Sequence, residues 1–314
     1  AEVKPLYSPI KYEKVPTIWL GGLVGCDRGL GDIAIYKSHV PAIDEGWTRW
    51  LWHGYLTPKQ NDSSHKSFTD DLKCGTRSSV EDREVRTGNL HARYSTIIIP
   101  DQPRTAILNG HRAGTMPPEY TGGLGTEGVK ALREFVEQGG TLVCLNRASD
   151  FAIDQFKLPV RDVVDGLPRT EFYVPGSILR IELDTTDPIA KGMPKESIAW
   201  AENSPVFEVL SAGSADGSSA LSAKREQPQT ADGTSAFPAH AVSPANVRVI
   251  AWYPKDKDPL LSGWLLGGDR IKGKAALVEV GMGKGRIILF GFRPQYRGQS
   301  LATYPLFFNA IIRK

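Results

Sequence analysis

The run TEGVKALREFVEQGGTLVCLNRASDFAIDQF (residues 126–156), preceded by YSTIIIPD (residues 94–101), decides the fold class. Thr96 to Ile99 is a short β-branched run halted by Pro100, the pattern of a strand buried on both faces. Val129, Leu132, Phe135 and Val136 form a helical stripe that begins near Thr126 and stops at Gly139-Gly140. Thr141 to Leu145 is a second buried-type strand, and Ala148 to Phe156 is a second helix. Strand, helix, strand and helix with short joints predict βαβ units, hence an open, mostly parallel sheet flanked by helices.

Outward from this centre, Asp32 to Ser38 alternates like a strand. Ile43, Trp47, Trp50 and Leu51 then recur at i, i+4, i+7 and i+8, one face of a helix. Ile178–Leu183, Val206–Leu210, Val247–Tyr253 and Leu260–Leu266 read as further strands. Ala275–Val280 and Arg286–Phe292, joined through Gly281-Met282-Gly283-Lys284-Gly285, predict an antiparallel hairpin. An apolar helix over Ala302–Ile312 is expected to dock on the sheet.

The chain has 314 residues. A prior of about 150 residues per domain suggests two domains. The excess length is instead assigned to an extended Pro- and Gly-rich arm over residues 1–31, a polar segment over 57–89, and an insertion over 211–246. In that insertion 22 of 36 residues are Ala, Ser, Gly or Pro. The expectation is one α/β domain over 32–314.

The net charge of +3 argues against a nucleic-acid partner. No stretch approaches the roughly 20 apolar residues of a membrane span, and mean hydropathy is −0.27. Three cysteines cannot all pair within one chain. Cys144 reads as an inert buried thiol, and a Cys26–Cys74 pair is left open. A chain beginning at Ala1 suggests removal of an export signal.

Chemical motifs are sparse. His39, His53, His65, His91, His111 and His240 form no zinc-ligand spacing, so no metal is expected. There is no Gly-x-Ser-x-Gly elbow, and Ser149 or Asp150 reads as the cap of the following helix. Residues 281–285 resemble half a phosphate loop but join two strands, and no cofactor is expected. One polar cleft remains, at the carboxyl ends of the parallel strands, where open α/β sheets bind ligands. Asp101, Asn146, Arg147 and Asp150 are placed there, with Arg293, Tyr296 and Arg297 from the loop after the last strand. These residues read either as a clamp for a ligand or as an ion-pair network that positions loops.

Long strings carry a resemblance: YKSHVPAIDEGWTRWLW (36–52), residues 94–101, YTGGLGTEGVKALREFVEQGGTLVCLNRASDFAI (120–153), EFYVPGSIL (171–179) and residues 260–310, including GKGRIILFGFRPQYRGQ. They resemble the C-terminal, class I glutamine amidotransferase-like region of bacterial secreted zinc carboxypeptidases of the carboxypeptidase A-like family. The resemblance implies an amidotransferase or flavodoxin-like fold and an extracellular or periplasmic location. Active amidotransferases of this class carry a Gly-x-Cys-x-Gly elbow and a downstream His-x-Glu. Here Asn146-Arg147-Ala148 stands at the elbow, and His240 is followed by Ala241-Val242. No catalytic residue transfers.

The implied role is a non-catalytic domain in partner recognition, self-assembly or structural support. A hydrolase using the Asp101, Asn146, Asp150 and Arg293 cleft, and a carbohydrate- or small-ligand-binding module using exposed aromatics, are the alternatives. Carboxylates already neutralised by arginine, with no cavity, exclude the hydrolase. Burial of Trp47, Trp50 and Trp264 counts against the binding module.

Overall fold

The computed structural model describes residues 32–56, 77–210 and 242–312. The arm over 1–31, both Cys26 and Cys74, and nearly all of the Ala/Ser-rich insertion lie outside the described residues.

A 12-stranded sheet organises the chain. Its parallel half comprises β1 (Asp32–Lys37), β2 (Arg77–Glu81), β3 (Tyr94–Ile99), β4 (Thr141–Leu145) and β12 (Gly285–Phe290), in the order β2-β1-β3-β4-β12. That is the flavodoxin-like arrangement, in which the strand order reverses between β1 and β3. The antiparallel half is larger than one hairpin. It holds β5 (Val160–Asp162), β6 (Pro175–Leu183), β7 (Glu196–Glu202), β8 (Phe207–Val209), β9 (Val247–Trp252), β10 (Leu260–Ser262) and β11 (Ala275–Met282). The expected hairpin joins the halves: β11 turns into β12 with Met282 opposite Gly285.

Alternation along the parallel strands builds two cores. Ile35, Ile98 and Val143 point to one face, which is covered by α1 (Ile43–Leu56) and α6 (Tyr304–Ile312). Ala34, Ile97, Ile99, Leu142 and Cys144 point to the other. That face is covered by α2 (Asp82–Arg86), α3 (Arg104–Asn109), α4 (Gly125–Glu137) and α5 (Ala148–Phe156). The stop of α4 is a Schellman motif: Gly140 N bonds Phe135 O and Gly139 N bonds Val136 O, both at 2.9 Å. Among the described residues, no helix is long and apolar enough to cross a membrane.

Two sequence expectations change. The stripe of α1 marked by Ile43 and Trp50 faces outward, at 80% and 50% exposure. The buried face is Asp44, Thr48 and Leu51, because Asp44 pairs with Arg293 and Thr48 Oγ1 accepts from Gln295 Nε2 at 2.9 Å. Neither Ser149 nor Asp150 caps α5. The Ser149 hydroxyl instead lies within bonding distance of Cys144 O (3.2 Å) and Phe290 O (3.0 Å), tying the helix start to its two strands.

Candidate functional site

The carboxyl ends of β3, β4 and β12 deliver Asp101, Asn146-Arg147 and Arg293 to one point, as the strand-end rule requires. Asp101 is almost fully buried and accepts from Arg147 Nε (2.8 Å), Arg147 Nη2 (2.7 Å), Arg293 Nη2 (2.6 Å) and Asn146 Nδ2 (3.0 Å). Arg293 also donates through Nη1 to Glu202 Oε2 at 2.9 Å. Its Nε lies 3.3 Å from Asp44 Oδ2, without the alignment of a hydrogen bond. Two guanidiniums therefore serve three carboxylates.

The electrostatics follow from this geometry. Burial pushes the Asp101 carboxyl up, but the Arg147 hydrogen bonds and the Arg147 and Arg293 charges outweigh it and hold it below the usual range. Asp44 has only the misaligned contact, and burial pushes it up to about 6. Asp101 and Glu202 are thus neutralised from within the chain, and Asp44 is not.

Asn146 forms the turn between β4 and α5 at φ 52. It is fully buried. Its Nδ2 donates to Asp101 and to Glu202 O (3.2 Å), and its Oδ1 accepts from Ser204 Oγ at 2.6 Å. Tyr296 is buried and stacks on Trp200 with centroids 4.0 Å apart, so it forms a wall of the network. Arg297 is exposed, with its guanidinium over the Tyr296 ring. Glu202 and Ser204 are not evident in sequence because they follow an antiparallel strand, and Asp44 is not because it sits inside the helix after β1.

Asp150 does not join this group. It lies on the flank of α5 that faces α3 and β5, in an acidic neighbourhood with Asp154, Asp162 and Asp165. Arg104 bridges there to Asp154 Oδ2 (2.9 Å) and Asp165 Oδ2 (3.0 Å). Burial and the Asp162 and Asp165 charges raise Asp150 well above its ordinary value, and burial raises Asp162 to about 7. A raised acid penalises the fold where it ionises, so stability falls as pH climbs from about 4 through 7. Asp162 Oδ1 accepts from Val206 N and Val164 N, bonds that an asparagine keeps. Asp162→Asn is thus expected to raise stability on the order of 1–2 kcal/mol at pH 8 and to leave it unchanged at pH 4. Urea midpoints at the two pH values check this.

An open cleft lies one strand over, at the β1–β3 reversal. It holds about 540 Å³ and is lined by residues that include Tyr36, His39, Glu45, Glu81, Gln102 and Tyr120. A second depression of about 480 Å³ is lined by Arg83, Arg86, Thr87, Pro118 and Glu119. None of the strand-end residues expected from sequence lines either one. The cleft is legible in principle, because β1 ends at Lys37 and α1 begins at Ile43, leaving residues 38–42 as a strand-end loop. Among the described residues, no cluster of three or more His, Cys, Asp or Glu is disposed to hold a metal.

No family model matches the chain, and no curated protein sequence matches it either. Several solved structures are similar in fold. A ThuA-like protein from Bacteroides uniformis shares 10% identity over 90% of this chain and 91% of its own, with a TM-score of 0.43. A GMP synthase component from Thermoplasma acidophilum shares 9% over 90% and 94%, with a TM-score of 0.44. A β-galactosidase from Bacillus circulans shares 14%, covering 94% of this chain but 32% of its own, at 0.42. All three scores lie below 0.5, and the fold class rests on the strand order and register given above.

Proposed function

We propose that this chain is a non-catalytic recognition domain of amidotransferase-like architecture, one that binds and performs no covalent chemistry. Asn146 carries the reading. It occupies the strand-to-helix turn where α/β hydrolases present a nucleophile, with the positive φ of such an elbow. An amide is no nucleophile, and this one spends its donors and its acceptor on Asp101, Glu202 and Ser204. Cys144 sits inside β4, where burial pushes its thiol up and disfavours the reactive thiolate. Of the nearby carboxylates, Asp101 and Glu202 are ion-paired with Arg147 and Arg293, and Asp44 lies buried beside Arg293.

Kinship to secreted zinc carboxypeptidases, an extracellular or periplasmic location and a protein partner belong to the same proposal and rest on the sequence strings. Exposed Ile43, Trp50 and Trp264 supply apolar surface suited to a partner. The hydrolase alternative loses its support with Asp150 displaced and Asp101 ion-paired.

Incubation with a diazo-ketone analogue of glutamine, followed by intact-protein mass spectrometry, tests the reading. The expected result is unmodified protein, with no glutamate released from glutamine above a heat-denatured control. A stoichiometric adduct, or glutamate release above that control, overturns it.

A further inference from the structure

The cleft at the β1–β3 reversal is assigned no role by the strand-end network, which does not line it. Its position is the one at which doubly wound sheets take ligands, and about 540 Å³ suits a small molecule. The chemistry of its lining states what kind.

Several of its donors are already engaged. Tyr36 donates its hydroxyl to Asp82 Oδ1, and His39 N donates to Asp82 Oδ2 at 3.1 Å. Val40 N donates to Ser38 Oγ at 3.1 Å, and Gln102 Nε2 donates to Val40 O at 2.9 Å. The buried lining atom left without a partner is an acceptor. Glu45 is 9% exposed; its Oε2 bridges to Arg49 at 2.7 Å, and its Oε1 has no hydrogen-bond partner among the described residues. Gln102, its nitrogen committed, offers its carbonyl oxygen. Glu81 stands at the rim, half-exposed, in a loose 3.5 Å pair with Lys37.

Two carboxylates, Glu45 and Glu81, and one ammonium, Lys37, line the cleft, and Arg49 pairs with Glu45 from outside it. An anion has to compete with Glu81 for Lys37, the one Lys or Arg of the lining. The positive end of α1, which otherwise attracts one, already faces its own Asp44 and Glu45 in the first turn. A polyol offers only neutral hydroxyl donors, whereas an ammonium gives Glu45 Oε1 a charge-assisted bond about twice as strong. Tyr120 stands edge-on to His39 with ring centroids 5.2 Å apart, giving aromatic surface for a hydrocarbon chain and a cation.

We propose that this cleft is a binding site for a small primary amine, whose ammonium group is received by Glu45. The proposal rests on the non-catalytic reading and adds the ligand class to it.

Isothermal titration of the full chain with 1,5-diaminopentane, inorganic phosphate and sorbitol tests it, alongside amide shift mapping by NMR. The expected result is saturable 1:1 binding of the amine alone, with shifts centred on His39, Glu45 and Tyr120. Glu45→Gln is expected to weaken binding at least tenfold, and Tyr120→Ala, a change on an exposed loop, severalfold. Absence of amine binding, preference for phosphate or sorbitol, or shifts centred elsewhere overturns the proposal. If Glu45→Gln fails to fold, the shift map on the unmodified chain and the Tyr120→Ala titration decide. A negative titration leaves the non-catalytic reading standing, whereas an adduct in the diazo-ketone experiment removes that reading whatever the titration shows.

Discussion

Asp101→Ala is expected to lower the unfolding free energy by about 3–5 kcal/mol, the range for breaking a buried charge pair from one side. The loss is large because Asp101 is the hub of the strand-end network. Its side chain is 2% exposed, and it holds Arg147 by two parallel bonds and Arg293 by a third. Without it, the Arg293 guanidinium, 12% exposed, keeps Glu202 but loses its charge partner at Nη2. The Asn146 amide loses one of its two acceptors in a buried turn. The urea midpoint is expected to fall with little change in m-value, since the core area is untouched. The pH dependence has a definite sign. Asp101 is held below its ordinary value, so its contribution is complete above the unfolded carboxylate range near pH 4 and fades as pH falls through the lower folded value. The gap between the two proteins should narrow as pH falls below the unfolded carboxylate range.

Gly110→Ala is expected to cost about 3 kcal/mol, from backbone strain and a clash together. Gly110 has φ 57, and a Cβ there stands 1.9 Å from Gly122 O. The two glycines close the neck of the loop that carries Tyr120, where Gly122 N bonds His111 O at 2.8 Å and Leu124 N bonds Ile107 O at 2.9 Å. His111 Nε2 lies 3.2 Å from His39 O, so opening the neck also loosens one wall of the β1–β3 cleft. Hydrogen exchange over residues 111–123 is expected to rise. Gly114→Ala is the control: its φ is 81 but nothing lies within 4 Å, so only strain of about 1 kcal/mol is expected. Equal losses at the two glycines contradict this account of the neck.

The parallel half of the fold is legible from residues 94–101 and 126–156 because buried strands there are continuous apolar runs and the helices between them carry clean stops. The face of α1 is not, because Trp47, Trp50 and Ile43 look like core, whereas Asp44 and Thr48 are drawn inward by Arg293 and Gln295 from a loop near the other end of the chain. The strand-end rule gathers Asp101, Asn146, Arg147 and Arg293 correctly, since each directly follows a parallel strand. It misplaces Asp150, whose direction is set by the rotation of α5 toward Arg104 and Asp162. It cannot reveal Glu202 and Ser204, which arrive on the antiparallel side of the sheet. Nor does motif reading find Glu45, whose interest lies in one oxygen without a donor, a property of packing alone.

On the proposed reading, the cluster at the strand ends is a scaffold in which Asp101 and Glu202 are ion-paired from within the chain, and its arginines hold structure and not a ligand. A double-mutant cycle on Asp101→Asn and Arg293→Met, read by urea unfolding, tests it most directly. The expected coupling between the two sites is about 2 kcal/mol, within the range for residues of one buried network. A coupling below about 0.5 kcal/mol, with each single change nearly neutral, contradicts the claim and returns Asp101 and Arg293 to the role of groups held ready for a ligand.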